Sequence, residues 1–509
     1  NYRIYRLARP LAPGATADLT FRTQRWQRGF RAQGDDTAVI PNGSFLNNAD
    51  FAPIVGMDRS GLLSDRVKRR KQGLPSELRP AKLEDLSAQY RNYIPGADWV
   101  SADITVSTVA GQTPVAPGRM VSDVVADGRR TARFVSDGPI LSFFSIQSAD
   151  YAQRSMDADG VRLTVFYHPT HGDNVDRMLT AMKESLDYFR AGFGPYQFDH
   201  ARIIEFPGYA TFAQAFAGTM PYSERVGFLA DIRDPNAIDY PTYVTAHEVA
   251  HQYWAHQVIS ANMQGGTIWV ETLAQYSALM VMKKMYGEDK MRRFLKYELD
   301  SYLRSRGSEA LEELPLNRVE NQGYIHYRKG SLVMYLLADR LGEERVNAML
   351  ADMLRRYRFT GPPFVRSTTL VDGFKSLARD RQELQLVEDL LERITIYDLK
   401  AISATTRRLS DGRWETILTA SASKAYADGE GREQAAPLRD VMRVGAFQSR
   451  PGQGAFNSED VDLMERRPVR DGIQQFRLVT KRRPAFAGID PYNFYVDRNS
   501  DDNIVAVTN

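Results

Sequence analysis

Near the middle of the chain His247, Glu248 and His251 stand in the order H-E-x-x-H within an apolar run, and a carboxylate, Glu271, follows after 19 intervening residues. Residues four apart on a helix lie one turn above each other on one face, so the spacing predicts a helix that presents both imidazoles to a single point. This constrains the fold strongly, because a second element must return beside that helix with a third donor. The chain has no cysteine, which leaves His or a carboxylate for the part. Glu271 opens a second helical pattern through residue 282, and Gly265 and Gly266 in the loop between allow the two helices to pack side by side. Two imidazoles, a carboxylate and an open fourth position make a catalytic zinc site, so one Zn2+ per chain is expected on His247, His251 and Glu271. Glu248 sits next to a ligand without being one, where it can take a proton from an activated water and pass it to a leaving amine. His256, five residues past His251, falls off the ligand face and reads as a pocket or loop residue.

At 509 residues the chain exceeds one ordinary core, and about 150 residues per domain suggests three domains. A hydrophobic content of 43% with 25% charged residues is that of a soluble globular protein. The 66 basic residues nearly cancel the 63 acidic ones, which argues against a nucleic-acid partner. The one dense basic run, residues 66–71, lies among Gly, Pro and Ser and reads as a solvated loop. Without disulfides, stability falls to the cores, and the composition fits either side of a bacterial membrane. No run approaches the roughly 18 apolar residues of a membrane span, and no signal peptide heads the chain. Its start at Asn1 reads as a fragment or processed form.

Residues 17–23, 104–109, 130–135 and 140–147 alternate or run apolar between Gly, Pro and Asp turns, predicting a β-rich domain over residues 1–165. From Asp173 the period changes: Met178, Leu179, Met182, Leu186 and Phe189 recur at three and four, and helical patterns continue to about residue 393. The catalytic unit is therefore expected over residues 166–394. Beyond it, residues 395–401, 414–422, 441–447 and 474–480 predict strands joined by Gly turns at 428–431 and 471–472, a small β-sandwich over residues 395–509. The expected class is multidomain α+β.

A glutamate on a second helix after H-E-x-x-H resembles the gluzincin metallopeptidases. The flanking residues resemble the aminopeptidase N family, in the run His251-Gln252-Tyr253 and in Glu271, Ala274 and Tyr276, which match Glu-x-x-Ala-x-Tyr. The spacing is one residue longer than usual in that family and equals that of thermolysin-type gluzincins; it reads as a loop insertion. The resemblance implies a β-rich N-terminal saddle domain, a thermolysin-like zinc catalytic domain and removal of N-terminal residues from peptide substrates. Tyr327-Arg328-Lys329-Gly330 resembles the family's Tyr-x-Lys-Gly element, which implies Tyr327 as the donor to the oxyanion. The stretch 221–227 stands in place of the family's Gly-Ala-Met-Glu-Asn strand, with Glu224 in register as the implied amine anchor; its other residues are lost, which keeps a zinc endopeptidase open as an alternative. Residues 188–196 and 202–207 resemble the start of the family's catalytic domain.

The closing stretches, 488–491 and 497–503, resemble the end of bacterial relatives in which such a module follows the membrane part of an ABC-transporter permease. That implies a membrane-embedded transporter region of the same protein as partner, and an extracytoplasmic or membrane-associated place. A non-catalytic peptide-sensing module is the third reading, and the presence of Glu248 and Tyr327 argues against it. The acidic run 497–503 lacks a complete calcium loop and reads as a structural turn.

Overall fold

The computed structural model describes residues 6–24, 39–53, 62–234, 237–308 and 311–509. Four strands form the platform of the site, in the spatial order Thr219–Ser223, His200–Phe206, Val161–Tyr167, Ala152–Ala158. The last two are an antiparallel hairpin turned at Asp159 and Gly160, both at positive φ, as a two-residue hairpin of this twist requires. The chain then crosses over through the helix Val175–Gly192, so His200–Phe206 pairs parallel to Val161–Tyr167. The residues picked out by period, Met178, Leu179, Met182, Leu186 and Phe189, form the buried face of that helix. Thr219–Ser223 continues the parallel pairing, and on its far side Ala213 and Phe216 pair antiparallel with Tyr222 and Thr219. Residues 212–216 are therefore the rim of this sheet, which begins at Ala152, ahead of the boundary expected at 166.

The helices that carry the site pack on this platform, and one hydrophobic core continues from Leu163 and Met178 through Tyr276 and Leu336 to Tyr397 and Phe494. At the C-terminal end the long strands Ile394–Arg408 and Trp414–Ala427 pair antiparallel near one end of an eight-stranded sheet. Val461–Arg470 and Gly472–Thr480 are separated by Asp471 alone, yet one pairs with Arg439–Phe447 and the other with Trp414–Ala427, at opposite ends of the strand order. A one-residue link between opposite ends requires the sheet to curl, giving the sandwich-like form expected. The strands read at 395–401 and 414–422 are longer than expected, and Glu433–Ala436, Val461–Arg470, Phe486–Ile489 and Ile504–Thr508 add to them.

Three expectations need correction. Residues 17–23 are exposed and form no strand, because no neighbouring strand among the described residues supplies the ladder their alternation requires. The run 140–147 divides into Ile140–Leu141 and Ser145–Ala149, which join different sheets. The basic run is the helix Arg66–Lys71, not a loop: Asp65 caps it by accepting from Lys68 N at 2.7 Å, and Arg69 is buried with its Nε on Pro75 O and its Nη1 on Leu63 O. No helix among the described residues is long and apolar enough to cross a membrane.

The loop expected between the two ligand helices turns at Gly265, whose φ is +78° and whose N–H donates to Val319 O at 2.8 Å. A Cβ there would stand 2.3 Å from both Asn317 O and Ser367 Oγ. Gly265→Ala therefore combines a left-handed backbone with overpacking, and is expected to lower the unfolding free energy by roughly 1–3 kcal/mol in chemical denaturation.

Candidate metal centre

The first ligand helix, Tyr240–Ala250, starts where Asp239 accepts from Thr242 N at 3.2 Å and Pro241 fills the first turn. His251 closes it with helical angles, its N–H on His247 O, so the two histidines keep one face. Three bonds fix the helix in place. Trp254 Nε1 donates to Ser277 Oγ on the second helix at 3.0 Å, and Gln252 spans to the sheet rim by donating to Phe216 O and accepting from Gly218 N, each at 2.9 Å.

Glu271 and Tyr327 both stand in widened, π-helical turns. Ile268–Thr272 runs into the helix Leu273–Tyr286, and Tyr324–Lys329 runs into Gly330–Leu341. An extra residue per turn re-aims side chains, and such turns recur at functional sites. Thr272 Oγ1 donates to His326 O at 2.7 Å, tying the two turns together, and a Cβ on Gly330 would come within 2.7 Å of the Thr272 side chain. A deeper clamp joins the same elements. Fully buried Glu298 accepts from Tyr243 OH at 2.8 Å, Gln275 Nε2 at 3.0 Å and Arg328 Nη1 at 3.0 Å, so the first helix, the second helix and the residue after Tyr327 share one carboxylate.

His247 Nε2 and His251 Nε2 lie 3.0 Å apart, and Glu271 Oε2 is 3.5 Å from the first and 3.3 Å from the second. Ligands about 2.0–2.1 Å from a tetrahedral ion are separated by roughly 3.3–3.4 Å, so the three atoms fit zinc. His251 Nδ1 donates to Trp254 O at 3.1 Å, which leaves its Nε2 lone pair for the ion, and Gln275 stands beside His247. Glu271 Oε2 is buried with no hydrogen-bond partner. Glu248 is 5% exposed, with Oε2 equally without a partner. Burial, opposed by His251 and reinforced by Glu271, pushes its carboxyl up to about 7. The Tyr327 hydroxyl lies beside the Glu271 carboxylate, its ring 5.8 Å from that of His247, and burial followed by the Glu271 charge holds it protonated.

Glu224 is placed elsewhere. Its carboxylate groups with His171 and Glu205, and its Oε1 accepts from Gly208 N at 2.9 Å. The cause is pairing: Thr219–Ser223 is an inner strand, so Glu224 emerges at its carboxyl end, while residues 212–216 occupy the rim against the ligand helix. His256 is buried, donating from Nε2 to Ala215 O on that rim at 3.0 Å. Two tyrosines not picked out from sequence join the centre. Tyr93 brings its hydroxyl within the field of Glu271 and Tyr327, and fully buried Tyr222 lies near Glu248 and Thr245. Tyr93 carries no local signal, since it arrives from a remote loop held by its N–H on Ser260 O.

Residues 175–381, the segment that carries His247, Glu248, His251, Glu271 and Tyr327, match the peptidase family M1 domain. Over 212 residues the chain is 26% identical to human endoplasmic reticulum aminopeptidase 2, covering 40% of this chain and 22% of that protein. Over 239 residues it is 26% identical to aminopeptidase M1 of Arabidopsis thaliana, covering 44% and 27%. The chain thus spans about a quarter of the length of these curated relatives. The structure of Legionella pneumophila aminopeptidase A shares its fold over 79% of this chain and 45% of that one, with a TM-score of 0.52 and 13% identity.

A zinc ion held by this cluster would enter in place of a proton. Burial disfavours charge on His251, but the Glu271 carboxylate outweighs it and pushes the imidazole up to about 9. Because the metal binds the neutral ring, apparent zinc affinity is expected to rise about tenfold per pH unit below that value, with about one proton released per ion. Calorimetry in two buffers of different ionisation enthalpy measures the release, and zinc uptake without it excludes His251 as a ligand.

Proposed function

We propose that this chain is a zinc metallopeptidase that removes N-terminal residues from peptides. The observation that carries the reading is the meeting of His247, His251 and Glu271 within 3.5 Å of one another, with Glu248 and Tyr327 beside them. His247, His251 and Glu271 hold the ion. When bound, zinc supplies Lewis acidity that activates a water and polarises the scissile carbonyl. Glu248 takes the proton of the attacking water on its carboxylate and passes it to the leaving amine; buried and tuned to about 7, it can both accept and give at neutral pH. Tyr327 donates its hydroxyl hydrogen to the oxygen on which charge develops. Gln275 and Glu298 keep the two helices and the tyrosine turn in register.

The rim offers the substrate backbone a partner. Gln214 N and Phe216 N bond Pro221 O and Thr219 O, so residue 213 and the N–H of Ala215 face away from that strand, where an extended peptide adds beside them; Ala215 O is already held by His256 Nε2. The aminopeptidases among the relatives support the N-terminal restriction. In this reading the catalytic unit lies between domains over 1–165 and 395–509. The attached transporter region and the bacterial, extracytoplasmic or membrane-associated setting are proposed on the resemblance of residues 488–491 and 497–503. A second reading, a zinc endopeptidase, is favoured by the position of Glu224, which is engaged with Gly208 N rather than turned to the ligand cluster.

Glu248→Gln is expected to keep one zinc per chain and lose roughly 10²–10⁴-fold in kcat, while Tyr327→Phe loses roughly 10²–10³-fold with KM little changed. Turnover of aminoacyl-p-nitroanilides undiminished in Glu248→Gln sinks the base assignment. Peptides with free and acetylated N-termini separate the two readings: the aminopeptidase cleaves only the free ones, and equal cleavage of both establishes the endopeptidase.

A further inference from the structure

The run 497–503 behaves differently in the structure from the plain turn its sequence suggests. Asp497 and Asn503 are fully buried and Ser500 is 3% exposed. Asp497 Oδ1 accepts from Leu399 N at 3.2 Å and Asn499 N at 3.4 Å, but its Oδ2 has no hydrogen-bond partner. Neither amide atom of Asn503 makes a bond of good geometry, although that side chain stands close enough to Asp497 to favour its charged form. Ser500 Oγ and Asp502 Oδ1 are likewise buried without partners. Four oxygens within seven residues are thus withdrawn from water and left without donors, where a single orphaned buried group costs about 1–3 kcal/mol.

The neighbouring cations do not reach the Asp497 carboxylate. Arg292 reaches into the same place from the helix Met291–Arg306, but gives its hydrogens to Pro491 O at 2.7 Å, Asn493 Oδ1 at 2.6 Å and Ser500 O at 2.9 Å, all uncharged acceptors. Lys296 pairs with Asp501 at 2.9 Å, and Lys400 stands 3.7 Å from Asp502 Oδ2, leaving Oδ1. Asp490 is satisfied by Phe494 N at 2.9 Å and Tyr495 N at 3.0 Å. Burial pushes the Asp497 carboxyl up to about 7, the behaviour of a buried carboxylate without a counter-charge. Buried charges are otherwise paired or coordinate metals.

We propose that residues 497–503 bind a divalent cation of the calcium type, with Asp497 Oδ2, Ser500 Oγ, Asp502 Oδ1 and Asn503 Oδ1 as the oxygens offered to it. The donor set is all oxygen, which suits a hard ion and not the zinc of the catalytic centre; an irregular loop of mixed side chains suits calcium better than the strict octahedron of magnesium. The ion fastens the loop ahead of the strand Ile504–Thr508, and through Arg292 and Lys296 it ties the curled sheet to the helical part. The site is independent of the peptidase reading.

The test uses the zinc-loaded chain, so that calcium cannot report from the catalytic centre. Calorimetric titration with CaCl2 is expected to show one further ion, and calcium is expected to raise Tm. Asp497→Asn weakens binding by about tenfold or more, and Asn503→Asp, which adds a carboxylate at nearly constant size, tightens it. Absence of both calcium heat and a Tm shift in the folded protein overturns the proposal, as does unchanged affinity in the variants. Should Asp497→Asn fail to fold, Asn503→Asp decides alone: tighter binding supports the site, and unchanged or weaker binding overturns it.

Discussion

Three lone-pair donors held within 3.5 Å of one another in a buried place repel each other unless a proton or a metal ion joins them, and the molecule around the centre is organised to keep them there. The restraint comes from burial and from hydrogen bonds that run from the ligand helix to its neighbours. Gln252 locks it to the sheet, Trp254 to the second helix, and Tyr243 to the carboxylate of Glu298. None of these residues belongs to the His247, His251 and Glu271 cluster, yet without them the histidines would be free to turn apart. Positioning at this level decides whether a metal centre binds weakly or holds one geometry.

The widened turns explain why Glu271 and Tyr327 come from the starts of two helices. In a regular α-helix Glu271 and Tyr327 would follow the rows of their neighbours; the extra residue in each turn offsets them into the space above His247 and His251. Thr272 and Gly330 make that possible, the first by bonding His326 O and the second by leaving room for it. The glycine of the Tyr-Arg-Lys-Gly run is thus a packing requirement of the pair of turns.

In the proposed function, specificity rests on the rim of the sheet. The glutamate aligned with the family's amine anchor leaves an inner strand at its carboxyl end and meets His171 and Glu205. The short chain 212–216 lies against the ligand helix instead, with Ala213 and Ala215 where their side chains take up little space. Register along the chain is a poor guide here because residues 212–223 fold back on themselves, and one hairpin exchanges which segment forms the edge.

The meeting of His247, His251 and Glu271 was legible because a helix converts a spacing of four into one face, and because a chain without cysteine has few candidate donors to choose from. The crossover helix was legible for a related reason: burial of one face imposes a period on Met178, Leu179, Met182, Leu186 and Phe189. Residues 17–23 carry a similar alternation and form no strand, since a strand exists only with a partner and the partner is not local. The same limit hid Tyr93, which reaches the centre from a remote loop, and the orphaned oxygens of Asp497 and Asn503, whose isolation depends on what Arg292 bonds. By itself, then, the sequence determined the donors, their spacing and the helices that bear them, because these follow from periodicity within one element. Tertiary structure alone decided which strand is the rim, where Glu224 points and which buried groups lack a partner, because each depends on contacts between segments far apart in the chain.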